Sequence, residues 1–193
     1  MEKNKNSVYT TLGASNHTSK ERQLEDYYAT PGYITKLLCK EEQFNGVIWE
    51  PACGGGHMAE ALKECGYEVI SSDLYDRGYG ESNIDFLQQS TMRGQHIITN
   101  PPYIYAQQFV EKSLSLLPNG GKAAFFLKLT FLEGQKRREF FKKYPPKTIY
   151  VSSSRVMCVK DGDFSIKGSS AIAYAWFVWE KGFTGAPIIK WIN

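Results

Sequence analysis

The residues with the clearest chemical potential are Thr99-Asn100-Pro101-Pro102-Tyr103, which directly follow the apolar run His96-Ile97-Ile98. An amine attached to an aromatic ring is a poor nucleophile, because its lone pair is delocalised into the ring. Two fixed acceptors that hold both amine hydrogens draw the nitrogen toward tetrahedral geometry and stabilise the charge that develops as it attacks an electrophile. The Asn100 side-chain oxygen and the Pro101 carbonyl can be those acceptors. Pro101 and Pro102 fix the backbone that carries them, and Tyr103 offers a ring on which a planar substrate can stack. The same residues also suit an ordinary Asn-Pro turn after a strand, so their weight depends on what lies beside them.

A second cluster precedes them. Glu50-Pro51-Ala52-Cys53-Gly54-Gly55-Gly56-His57-Met58-Ala59 follows the apolar run Val47-Ile48-Trp49. Gly54, Gly56 and Ala59 satisfy G-x-G-x-x-G/A, and Asp73 stands nineteen residues after Gly54, where a carboxylate can bind ribose hydroxyls. Glycines let a ligand approach the backbone closely, although a tight strand-to-helix turn needs them on steric grounds alone. Two acids separate the possible cofactors. Glu50 lies four residues before the first glycine and Asp85-Phe86 closes a later apolar run. A sulfonium cofactor is cationic and carries an ammonium, so acids suit it, whereas a nicotinamide enzyme needs a hydride-acceptor site that is not found here. Asp85 can accept from an adenine amine while Phe86 offers the ring an apolar face, and Asp85 equally suits a turn at a strand end. S-adenosylmethionine is the expected cofactor.

These residues must be positioned by alternating strands and helices. Short apolar runs at Val47–Trp49, Tyr67–Ile70, Ile84–Leu87, His96–Ile98 and Ala123–Leu127 read as strands, with a helix at about 57–64, another bearing Phe109, Val110, Leu114 and Leu117, and a basic one at about 133–144. Thr30 is expected to cap an earlier helix, with Pro31 at its first position. Two strands, Thr148–Val159 and Ala171–Glu180, follow without a helix between them. The expected fold is α/β: a doubly wound, seven-stranded, mostly parallel sheet with one antiparallel edge hairpin, helices on both faces, and ligands beyond the carboxyl ends of the early strands.

The chain has 193 residues, enough for one domain with a full core. A polar arm, flexible or draped, is expected over residues 1–25, with a single catalytic domain over residues 26–193. At 42% hydrophobic, 14% aromatic and 22% charged residues, the composition is that of a soluble globular protein. No apolar run approaches membrane-spanning length and no secretory signal opens the chain, so a cytoplasmic location is expected. The four cysteines form no C-x-x-C pair and the three histidines show no metal-ligand spacing, so no metal is expected. A net charge of +3 hides an asymmetry: residues 120–170 hold eleven Lys or Arg against four Asp or Glu. Lys136, Arg137, Arg138, Lys142 and Arg155 of that segment are candidate nucleic-acid contacts, although a run of charge also suits the solvated face of a helix.

Taken together, "YATPGYITKLL" (Tyr28–Leu38), "EPACGGGHMAEAL" (Glu50–Leu62), "SSDLY" (Ser71–Tyr75), "IDFL" (Ile84–Leu87) and "NPPY" (Asn100–Tyr103) resemble, in this order, the gamma-order amino-methylating DNA methyltransferases that act on adenine, in a short phage-type form. The resemblance implies a class I S-adenosylmethionine-dependent methyltransferase with a Rossmann-like fold. Thr30 would help hold the methionine carboxylate; Glu50, Ala52 and Gly54 the methionine portion; Asp73 the ribose; Asp85 and Phe86 the adenine. Pro51, Gly56 and Leu74 border these positions and complete the expected cofactor site. Asn100, Pro101, Pro102 and Tyr103 would act on an adenine rotated out of the duplex, with Phe131 or Phe164 closing the pocket. Thirteen residues follow Glu180, which leaves no separate target-recognition domain in this sequence. Site choice would then rest on the basic segment or on a separate specificity protein. The same tetrapeptide occurs in enzymes that methylate a glutamine side chain in protein or a guanine amine in RNA, and the cytosine amine in DNA is a further alternative. A non-catalytic nucleic-acid-binding module with the same fold is the alternative of another class.

Overall fold

Phe125 and Phe126 are neighbours on one strand and belong to different hydrophobic clusters, because successive side chains of a strand point to opposite faces. The strand that carries them, β5 (Lys122–Lys128), lies inside a seven-stranded sheet covered on both sides. The computed structural model describes residues 27–160, 162–165 and 170–193; the polar arm expected before residue 26 lies outside them.

Within those residues the strands are β1 (Tyr28–Ala29), β2 (Ile48–Glu50), β3 (Val69–Ser71), β4 (His96–Thr99), β5, β6 (Thr148–Ser152), β7 (Val159–Lys160), β8 (Tyr174–Glu180) and β9 (Ile188–Ile192). The helices are α1 (Gly32–Glu41), α2 (His57–Glu64), α3 (Ala106–Leu116) and α4 (Gln135–Lys143). The large sheet has the order β3-β2-β4-β5-β8-β6-β9, and β1 pairs with β7 in a separate two-stranded ribbon. Strands β2 to β5 run parallel to one another, β8 runs antiparallel to both β5 and β6, and β9 is parallel to β6.

Burial on both faces explains the sequences of the central strands. On β8, Ala175, Phe177 and Trp179 join one cluster with Phe109, Val110 and Phe140 of α3 and α4. Tyr174, Trp176 and Val178 join the other with Ile34, Leu38, Met58 and Leu62 of α1 and α2. The resulting runs are nearly all apolar, as expected of strands with two covered faces. Trp176 Nε1 donates to the Ile34 carbonyl at 3.1 Å, which fastens α1 to the sheet.

The doubly wound fold agrees with the sequence, but three elements differ. Ile84–Leu87 is not a strand: Asp85 caps a short 3-10 turn over Phe86–Gln88, and the seventh strand is β9 instead. Thr148–Val159 divides into β6 and part of β7. The expected hairpin partners β6 and β8 do pair antiparallel, yet β8 lies between β5 and β6, with β9 outside. A buried strand pairs where its apolar faces are covered on both sides, and β8, with six of its seven residues buried, gains most from an inner place. Among the described residues no helix is long and apolar enough to cross a membrane, and no group of three or more His, Cys, Asp or Glu could hold a metal ion.

Candidate active site

Parallel pairing brings the carboxyl ends of β2, β3, β4 and β5 to one edge, with Glu50 opposite Ser71 and Thr99 opposite Phe125. Asn100 is the first residue past β4, and its amide is held from one side. Nδ2 donates to the Tyr28 carbonyl oxygen at 3.2 Å and to Thr30 Oγ1 at 3.0 Å. A backbone carbonyl can only accept, so the amide nitrogen faces Tyr28 and the amide oxygen faces away. That oxygen is buried and makes no hydrogen bond of good geometry among the described residues, although the Tyr103 hydroxyl interacts with the Asn100 amide. An unpartnered buried acceptor costs about 1–3 kcal/mol, and here it is one that an incoming donor can satisfy.

Thr30 does not cap α1. The helix begins at Gly32, with Pro31 in the cap position and no side-chain cap hydrogen bond. The Thr30 hydroxyl instead accepts from Asn100 Nδ2. Tyr28 and Ala29 reach this place as β1, whose pairing with β7 matches Tyr28 to Lys160 and Ala29 to Val159.

Glu50 ends β2 with 2% of its surface exposed, and its Oε2 has no hydrogen-bond partner among the described residues. Burial, with the Asp73 carboxylate adding repulsion, pushes its pKa well above the usual range. Asp73 itself is engaged: Oδ2 accepts from the Gly54 N–H at 2.8 Å and Oδ1 from the Tyr75 N–H at 2.9 Å. It therefore fastens the glycine loop to the segment after β3, and each oxygen retains a further lone pair for a ligand.

The glycine loop carries Gly54 at φ +54° and Gly56 at φ +83°, both in the left-handed region that favours glycine. A Cβ on Gly54 would overlap the Tyr27 ring. Tyr27 thus lies directly on the loop, with its hydroxyl 2.8 Å from His57 Nδ1 and the Arg77 guanidinium 5.1 Å above its ring. Between Tyr27–Thr30 and Glu50, Ala52, Cys53, Met58 and Asn100 the free space is about 20 Å³, the scale of a single water. An open groove of about 420 Å³ lies on the outer side of the loop, bordered by Tyr33, Lys36, His57, Glu60 and Phe164.

Tyr103 opens a 3-10 turn over Tyr103–Tyr105. Its buried hydroxyl has no hydrogen bond of good geometry. Burial, with Tyr174 and Cys158 nearby, pushes the phenol pKa well up. The Lys128 ammonium sits 4.5 Å from the centroid of the Tyr103 ring. Neither Lys128 nor Tyr27 was singled out from the sequence. A lone lysine ending the buried run AAFFL, and two tyrosines just before Ala29-Thr30-Pro31, were the available signals.

Other expected site residues have structural duties. Asp85 Oδ1 accepts from the Leu87 N–H at 2.9 Å. Phe86 is a core ring packed against Trp49 and Phe109, with centroids 5.2 and 4.8 Å away. Pro51 is buried, Ala52 half-buried, and Leu74 exposed beyond Asp73. Phe131 packs in the core against Phe140 and Phe177, whereas Phe164 meets His57 with centroids 5.2 Å apart. In the basic segment, Arg137 donates to the Phe131 carbonyl at 2.9 Å and covers that residue's ring at 4.3 Å. Arg155 donates to the Ala171 carbonyl at 3.0 Å, and Lys142 pairs with Glu139 at 2.8 Å. Lys136 and Arg138 are exposed on α4.

No protein-family model matches the chain, and no curated protein matches it in sequence. Solved structures do match in fold. A protein assigned as the modification subunit of a type I restriction enzyme from Vibrio vulnificus superposes over 86% of this chain with a TM-score of 0.58 at 15% identity. This chain spans 47% of that subunit's length. A protein assigned to the class I S-adenosylmethionine-dependent methyltransferases, from Listeria monocytogenes, superposes over 97% of this chain and 71% of its own, with a TM-score of 0.58 at 17% identity. One assigned as an RNA methyltransferase, from Pyrococcus horikoshii, superposes over 93% of this chain and all of its own, with a TM-score of 0.60 at 16% identity. The chain has the Rossmann-like fold of the class I methyltransferases.

Proposed function

We propose that the protein is an S-adenosylmethionine-dependent methyltransferase acting on the exocyclic amine of adenine in DNA. The observation that carries this reading is the Asn100 amide: its nitrogen is tied to Tyr28 and Thr30, and its oxygen is left buried without a hydrogen bond of good geometry among the described residues. Such an arrangement serves a substrate that brings N–H donors and no acceptor at that position. The Asn100 oxygen and the Pro101 carbonyl hold the two amine hydrogens. The nitrogen so held would have tetrahedral character; with the cofactor bound, its lone pair would take the methyl carbon as the carbon–sulfur bond breaks and its electron pair stays on sulfur as a thioether, and the proton would pass to solvent.

The residues present fit the cofactor. Glu50 is a buried carboxylate with an orphaned oxygen, which a bound ammonium would satisfy, and burying a lone charge is otherwise costly. The Asp73 carboxylate and the glycine loop border the same edge. When bound, the cofactor supplies an electrophilic methyl group on a sulfonium. The methionine end would rest under Tyr27–Thr30, where about 20 Å³ is open, so this segment must lift for loading.

The basic segment from Lys136 to Lys147 favours nucleic acid over a protein substrate, and the chain is similar in fold both to the modification subunit of a type I restriction enzyme and to an RNA methyltransferase. Incubation of the protein with methyl-labelled S-adenosylmethionine and DNA, RNA or protein is expected to label DNA, with the label recovered in N6-methyladenine. Label confined to RNA or protein overturns the DNA reading. Asn100→Ala is expected to abolish transfer while calorimetry still records cofactor binding; transfer at the wild-type rate by that variant refutes the assigned mechanism.

A further inference from the structure

We infer that Lys128 is the residue that admits a nucleotide to the acceptor site: its ammonium covers the Tyr103 ring in the free protein and moves to a phosphate beside the target base when that base takes its place. The inference rests on the proposed DNA reading. Lys128 ends β5, three residues past Phe125, which pairs with Thr99, and across the sheet it pairs with Tyr174. It therefore emerges beside the Pro102-Tyr103 turn.

Among the described residues its surroundings hold no carboxylate partner. The Nζ lies over the Tyr103 ring at 4.5 Å, and among the described residues no carboxylate stands within ion-pair distance of it. Cys158 nearby has a thiol that burial pushes up to about 11, and burial likewise raises the phenol of Tyr174, so both remain neutral at physiological pH. A half-buried lysine is normally matched by an acid, as Lys122 is matched by Glu42 at the opposite end of the same strand, with an Nζ to Oε2 distance of 2.6 Å. Among the described residues Lys128 is matched by a π face instead. A planar base stacked on that face must displace the ammonium, because the two cannot hold the same place. The displaced cation then needs an anion within reach of its four-carbon stem, and a nucleotide in a polymer brings one on each side. A glutamine side chain brings none, so the same lysine disfavours an amide substrate.

The test uses the full chain and duplex oligonucleotides carrying the adenine that the wild-type protein methylates, with each phosphate flanking it replaced in turn by a neutral methylphosphonate. One replacement is expected to lower wild-type kcat/KM about tenfold, the value of one charge-assisted hydrogen bond. Lys128→Met is expected to show that loss on the native duplex and no further loss on the neutral one, while Lys128→Arg keeps the sensitivity to the neutral linkage. Cofactor affinity by calorimetry and the thermal midpoint, which report folding, are expected to match wild type in both variants. Wild-type-like kcat/KM for Lys128→Met on the native duplex, or an undiminished second loss on the neutral one, overturns the role of Lys128 and leaves the DNA reading standing. Failure of the wild-type protein to label any DNA overturns both.

Discussion

Asn100 is oriented by two neighbours that are distant in sequence, and this makes Thr30 separable from the cofactor. If the Thr30 hydroxyl acts by holding Nδ2, Thr30→Val removes one neutral hydrogen bond and leaves the Tyr28 carbonyl in place. The expected result is a fall of about five- to tenfold in kcat with cofactor affinity within about twofold of wild type; steady-state kinetics beside calorimetry measure both, and a change in affinity alone would assign Thr30 to the cofactor instead. Glu50 allows a second prediction from its raised pKa. A carboxyl whose pKa rises on folding binds its proton more tightly in the folded state. Stability is therefore lost as pH climbs from the unfolded value, about 4.3, through the folded one. Glu50→Gln is expected to flatten this fall and to raise neutral-pH stability by about 1–3 kcal/mol, or some 2–4 °C in thermal midpoint for each kcal/mol. Melts of the cofactor-free protein across pH check it, and a variant less stable than wild type at neutral pH contradicts it. Affinity for the cationic cofactor should tighten as pH rises through the same range and weaken in the variant.

At the scale of elements, β1 does three jobs with very little structure. Tyr27, just before it, lies on the glycine loop; Tyr28 orients Asn100; Thr30, just after, completes that orientation. Among the described residues two pairs join β1 to β7, so few hydrogen bonds there oppose its opening, in contrast to the long and largely buried β5 and β8. Hydrogen exchange is expected to be fast at Tyr28 and Ala29 and slow across β5 and β8, and to slow at β1 when cofactor is added. Exchange at β1 as slow as in β8 would show that loading does not proceed through this segment. Helix α4 divides its cations in the same spirit: Arg137 secures the turn before it, and Lys136 and Arg138 face solvent.

Across the whole molecule, the sheet places its chemistry at one edge. Of the basic segment, Lys128 stands at the end of β5 on that edge, and Lys122, paired with Glu42, stands at the opposite end of the strand. Duplex affinity is expected to fall steeply with salt, and the double variant Lys136→Ala with Arg138→Ala to reduce the slope of log affinity against log salt by about 2. Arg137→Ala should act on the thermal midpoint rather than on that slope. A titration series at several salt concentrations separates the two, and an unchanged slope in the double variant removes α4 as a phosphate contact.

The sequence by itself determined the layered fold and the order of the site. Apolar runs with two covered faces can only be inner strands, and glycines at Gly54 and Gly56 mark a turn that other residues adopt poorly. Parallel strands then bring Glu50, Asp73 and Asn100 to one edge whatever the details of packing. The tertiary structure decided what each polar atom does there. Thr30 serves Asn100 and not a helix cap, Phe86 lies in the core, Arg137 holds carbonyls, and Lys128 meets Tyr103, because hydrogen bonds and ring contacts go to the nearest partner in space. Those partners lie up to 70 residues away in the chain, and no local pattern records such a distance.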